Sequence, residues 1–214
     1  MKKTILLFSI LLASCAGKQT QEIRTMERLS TASRNDYYVS NRAPLQPLQF
    51  IKLPAGSFEP EGWIKRQVEL QKDGLCGHLG EISAWLQKGN NAWLKNGGEW
   101  GWEEVPYWLR GYGNMAYALK DEALLKETNF WIEAILASQR TDGNFGPVHL
   151  NNGKQDFWPN MIVLWIMQSY HEYTNDNRVI DFMTRYCHYL QTVPDDAFLS
   201  SYWENSRGGD NLWS

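Results

Sequence analysis

The stretch Glu99–Leu119, EWGWEEVPYWLRGYGNMAYAL, runs a tryptophan-rich acidic loop straight into an amphipathic helix. From Val105 the apolar residues recur at Val105, Trp108, Leu109, Tyr112, Met115, Ala116 and Leu119. That is the i, i+3, i+4, i+7 spacing of a helix with one buried face. Pro106 fits its first turn, where the missing N–H would have had no intrahelical partner and the fixed φ is already helical. Glu103 and Glu104 therefore stand at the positive end of the helix dipole, which stabilises a carboxylate by about 0.3–1 kcal/mol. Trp100 and Trp102 precede them, and Tyr107 and Trp108 follow. Carboxylates among aromatic faces also suit a sugar-binding cleft, because rings cover apolar sugar faces while acids accept from hydroxyls. The loop reads equally as a charged helix start and as a ligand site.

An internal repeat extends this helix into an architecture. The run MAYALKDEALLKETNFWIEAI from Met115 lies over YHEYTNDNRVIDFMTRYCHYL from Tyr170 with a constant shift, placing Asp121 on Asp176, Leu124 on Val179, Leu125 on Ile180 and Trp131 on Tyr186. Each unit reads as a helix, a tight polar turn and a second helix. Such αα-hairpins cannot bury both apolar faces alone, and stacking them into a ring of inner and outer helices does so. The same spacing orders the acids. Glu104 opens the first inner helix, Asp156 precedes one expected over residues 157–173, and Asp210 precedes a third in which Ser214 falls. In a closed ring they gather at one mouth with Trp102, Trp158, Trp203 and the turn TDGNFGP (Thr141–Pro147), outlining a concave acidic and aromatic site. Each acid is also a sound helix cap, and the two roles are compatible.

Upstream, MKKTILLFSILLASC has two lysines, an apolar run (Ile5 to Ala13) too short to span a bilayer, and small residues before a cysteine. It resembles a secretory signal ending in a bacterial lipobox. Cys15 is then expected to carry acyl chains, each buried CH₂ adding about 0.8 kcal/mol of membrane affinity. Residues 1–14 read as signal peptide. Residues 15–60, with Pro44, Pro47, Pro54 and Pro60, read as a tether followed by an extended segment packed along the domain. The first helix is expected near Glu61, with a core face of Trp63, Ile64, Gln67, Val68 and Leu70, interrupted at Asp73-Gly74. A further helical piece is expected from Gly80 to Leu86.

Net charge is −3 with both signs scattered, so no basic surface for nucleic acid is present. The 11 Trp, 10 Tyr and 8 Phe mean either a large aromatic core or a stacking surface. With Cys15 lipidated, Cys76 and Cys187 remain; a disulfide is open to them but they make no framework. Cys76 with His78 is too little for a metal site, His171 and His188 read as packed or surface residues, and His149 lies in a loop. Gly111 and Gly113 inside a helix cost about 1 kcal/mol each, which points to close helix packing or to a ligand approaching the backbone.

Four stretches in order, EEVPYWLRGYGNMAYAL, ILASQRTDGNFGP, DFWPNMIVLWIMQSYHEYTND and RGGDNLWS, resemble the N-terminal half of glycoside hydrolase family 127, the β-L-arabinofuranosidase-like enzymes, from about Trp63 to Ser214. The resemblance implies an all-α fold, an (α/α)6 barrel of which residues 61–214 are about half the ring, followed by β-sandwich domains. It also implies retaining release of a terminal arabinofuranose from an oligosaccharide or polysaccharide. A zinc-bound cysteine thiolate acts as nucleophile and a Glu as acid/base, both expected beyond Ser214; neither Cys76 nor Cys187 matches the nucleophile's motif. Where the family carries His-Glu pairs ahead of inner helices, this chain has Gln155-Asp156 and Gly209-Asp210. Substrate contacts are expected from Trp102, Glu103, Glu104, Tyr107, Trp108, Asp142, Asp156, Trp158, Asp210 and Asn211. The whole reads as the front part of an exported, membrane-anchored lipoprotein of the outer membrane or periplasm. By itself the chain is expected to be inactive and to expose apolar hairpin faces. Two rivals stand beside it: an unsaturated uronyl hydrolase on the same ring, and a non-catalytic glycan-binding lipoprotein or inactive fragment.

Overall fold

In the computed structural model the described residues are 34–94, 98–148 and 155–213, so the signal segment, Cys15 and His149 lie outside them. Their regular structure is helical: α1 Gly62–Asp73, α2 Leu75–Ile82, α3 Glu104–Leu119, α4 Glu122–Ala137, α5 Trp158–Thr174, α6 Arg178–Leu190, α7 Tyr202–Arg207 and α8 Gly209–Trp213. The only pairing outside helices among them is two isolated bridges.

Helix α3 forms as its periodicity requires. Val105, Trp108, Leu109, Tyr112, Met115 and Ala116 are buried, and Leu119 packs at the core's margin. It ends at Lys120, whose φ of 52° is left-handed, and α5 ends the same way at Asn175, φ 60°. These two stops occupy equivalent places in the repeat. The next residue of each unit, Asp121 or Asp176, then takes up orphan N–H groups of the following helix: those of Ala123 and Leu124 in one hairpin, that of Arg178 in the other. Trp131 and Tyr186, also equivalent, are both fully buried.

Helix α3 packs along α5 as well as against its own hairpin partner α4, and α5 against α6. Eleven of the residues of α5 are buried, which marks it as the helix flanked on most sides. Phe145, from the turn between α4 and α5, wedges against Phe182 and Tyr186 of α6 with ring centroids 4.7 Å away in each case. That turn depends on Gly143, at φ 95°, where a Cβ would stand 2.3 Å from the Arg185 carbonyl oxygen. The helical glycines divide: a Cβ on Gly113 would meet Thr128 Cγ2 of α4 at 3.4 Å, the close packing expected, whereas at Gly111 the space is open.

Helix α1 starts where expected and stops at Asp73-Gly74, but its expected core face is corrected. Trp63 is 76% exposed, Ile64 and Leu70 are about half exposed, and of that face Val68 alone packs against the core. Apolar spacing establishes which side of a helix is hydrophobic, and the described residues cover this one only in part, at Val68. The expected piece from Gly80 to Leu86 is instead the end of α2 and a separate 3₁₀ turn, Ala84–Leu86, broken at Ser83. Residues 34–60 contain no helix. They lie against the far end of α5, where the Glu172 carboxylate, 2% exposed, accepts from the Tyr38 hydroxyl, from Lys52 Nζ at 2.7 Å and from the Ala55 N–H at 2.7 Å. Burial and that carboxylate push the Tyr38 phenol well above its ordinary range.

Candidate functional site

The N-terminal ends of α3, α5 and α7 bring their acids together. Glu103 precedes α3 but makes no capping bond. Its Oε2 accepts instead from Trp158 Nε1, on α5, at 2.8 Å. The acid expected to serve as a helix start is thus aimed across to the neighbouring hairpin. Asp156 stands two residues before Trp158 and accepts its backbone N–H at 2.8 Å. The preceding orphan N–H, that of Phe157, goes to Glu204 Oε1 of α7 at 2.5 Å. Glu204 is 1% exposed, closes a capping box with Ser201, and is hydrogen-bonded to the Asp156 carboxyl. Burial, then the Glu204 and Glu103 charges, push the Asp156 carboxyl up to about 6 against the pull of the Trp158 N–H.

A cation balances part of this charge. The Arg207 guanidinium, at the end of α7, lies 4.0 Å from the centre of the Trp158 ring system and 4.9 Å from that of Trp203. Its Nη1 donates to the Tyr107 hydroxyl at 2.8 Å, and the Tyr107 and Trp158 rings sit 5.6 Å apart. Deeper along the same helices, Arg110 lies 3.9 Å over Trp165, whose Nε1 donates to the Asp210 carbonyl oxygen at 3.3 Å.

Of the expected contacts, Glu103, Tyr107, Asp156, Trp158 and Asp210 therefore share one neighbourhood; the Tyr107 hydroxyl feels both the Glu103 and Asp210 charges. Trp158 is placed there differently from expectation. It is 4% exposed and covered by Arg207, so it orients its neighbours and offers no open face for stacking. Tyr107 and Trp203 keep exposed ring surface. Trp108 does not join the group: one position along the helix from Tyr107, it is turned to the core, lies tilted against Tyr112 with ring centroids 4.5 Å apart and donates to the Cys76 carbonyl. Trp102 packs at the edge of the core and its carbonyl accepts from Trp93. Glu104 is half-buried at the start of α3. Asp142 is exposed in its turn and receives the Asn144 N–H, while Asn144 itself reaches Gln155, next to Asp156. Asn211 is half-buried in α8.

Glu204 and Arg207 are the residues that sequence reasoning missed. Ser201-x-x-Glu204 is a capping-box pattern, a signal that explains a glutamate completely without a site. The chain has no other signal for Arg207 than its place beside the RGGDN run.

Among the described residues no three His, Cys, Asp or Glu side chains converge on a metal position. Cys76 and Cys187 are both free, burial raises the Cys76 thiol, and Cys187 is exposed on α6. His171 is packed against Tyr37 and bonded to the Asp176 carbonyl, and His188 is exposed. No described helix is long and apolar enough to cross a membrane.

A family model of the catalytic domain of beta-L-arabinofuranosidase, GH127, matches residues 23–213. No curated protein and no solved structure matches.

Proposed function

This chain belongs to the GH127 family of β-L-arabinofuranosidase catalytic domains, and from that premise we propose that its acidic mouth holds the terminal sugar of a glycan whose β-L-arabinofuranosyl bond is hydrolysed. Family membership implies a glycosidase. The sugar, the linkage and the placing of this mouth in a ring of hairpins are part of the proposal. The observation that carries it is the convergence of Glu103, Asp156 and Glu204 at the starts of α3, α5 and α7, with Tyr107 and Arg207 beside them.

Each group has a task. Glu103, fixed by the Trp158 indole, is an acceptor for a sugar hydroxyl. Asp156 changes protonation near neutrality, so it donates or accepts according to pH. The exposed Tyr107 face covers an apolar patch of the sugar ring. Zinc with a thiolate nucleophile is the chemistry the family resemblance implies, supplying an activated sulfur. The described residues do not form such a centre, and the role proposed for these acids is to hold substrate. The proposal extends to an exported protein anchored in a bacterial membrane through Cys15; Cys15→Ala is expected to move the protein from the membrane to the soluble fraction.

The test uses the protein carrying this chain with p-nitrophenyl β-L-arabinofuranoside. Hydrolysis is expected, and Glu103→Gln is expected to lower kcat/KM about 10- to 100-fold, the value of one hydrogen bond to a charged group. Wild-type protein that neither binds nor cleaves arabinofuranosides would overturn it.

A further inference from the structure

We propose that Arg207 is the residue that reads the substrate's oxygens at this mouth. The inference rests on the glycosidase reading above and adds to it a specificity residue on α7. A sugar hydroxyl both donates and accepts. A mouth lined by carboxyl groups alone would offer the lone pairs of a sugar few donors, at most the single proton that Asp156 carries when protonated. Arg207 supplies them. It carries five N–H groups in a fixed plane. One goes to Tyr107, and the others have no partner among the described residues. No carboxylate there lies within ion-pair distance of it, although acids surround it. Its orientation comes from the indoles of Trp158 and Trp203 instead.

Stacking has two consequences. It covers the flat face of the guanidinium and leaves the edge, where all the donors are, for a ligand. It also holds a long side chain in one place before binding, so less entropy is lost on engaging a sugar. Tyr107 joins the arrangement: with its oxygen accepting from Arg207, its own hydroxyl proton turns to another acceptor.

The experiment compares wild type, Arg207→Lys and Tyr107→Phe, in the protein carrying this chain, on p-nitrophenyl β-L-arabinofuranoside and its 2-, 3- and 5-deoxy analogues. Lysine keeps a cation over the indoles but lacks the fork. Arg207→Lys is expected to lose about 10- to 100-fold in kcat/KM on the parent sugar. On one deoxy analogue it should equal wild type, which identifies the oxygen read. Tyr107→Phe, which removes only the hydroxyl, should lose activity with the same analogue dependence. Equal losses on every analogue, or no loss, would overturn the assignment of Arg207. Wild type inactive on the whole series would overturn the glycosidase reading and this inference with it.

Discussion

Asp156 is the residue whose charge state couples the mouth to its surroundings. A carboxyl raised from 3.8 to about 6 in the folded protein binds its proton more tightly there than in the unfolded chain. The stabilisation from that proton is complete below the ordinary value and is lost as pH rises through about 6. Asp156→Asn, neutral throughout and still able to accept the Trp158 N–H, removes this dependence. Its melting temperature is expected to exceed that of wild type above pH 6 and to converge with it below pH 4. A gap that stays constant on acidification would contradict the shared hydrogen bond with Glu204. Gly143 makes a second prediction at this scale. With φ at 95° and a carbonyl 2.3 Å from any added Cβ, Gly143→Ala is expected to cost about 2–3 kcal/mol in urea unfolding. Gly111→Ala, in open space within a helix, is expected to gain about 1 kcal/mol.

Helices α3 and α5 were readable because one physical signal, the burial of an apolar stripe, repeats twice at constant spacing with the same stop and the same aspartate after it. Asp121→Ala, which strips two N–H groups of α4 of their acceptor, is therefore expected to cost about 1 kcal/mol in chemical denaturation. What the pattern could not resolve is rotation. Glu103 and Tyr107 are four residues apart and share the face toward Trp158, while Trp108, one step further round, belongs to the core. A loop rich in acids and aromatics names all of them alike. Glu204 and Arg207 were illegible for a different reason: their significance lies in contacts with residues 47 or more positions away, which no local motif records. On α1 the stripe was read correctly as apolar, but burial depends on a neighbour, and Trp63 has none among the described residues.

Across the whole molecule, the segment Arg34–Ser57 is held to α5 by one buried carboxylate with three donors, with lesser contacts from Gln168, His171 and Asn175 to Tyr37, Tyr38 and Lys52. Glu172→Ala is expected to cost about 2–4 kcal/mol, because the donors lose a charged partner at once. Amide exchange should rise selectively in residues 34–57, leaving α3 and α4 protected. Protection unchanged in the segment would mean that its remaining contacts, such as Asn35 to the Lys52 carbonyl, suffice. Glu172 lies fourteen residues along α5 from Trp158, roughly 21 Å at the helical rise. Any tension arriving through the N-terminal segment is therefore delivered into the tail of α5, and its bonds to Glu172 give way first. The acids at the head of that helix stand off the load path, so a chain tugged from its N-terminal segment loses that strap before the acidic mouth is disturbed.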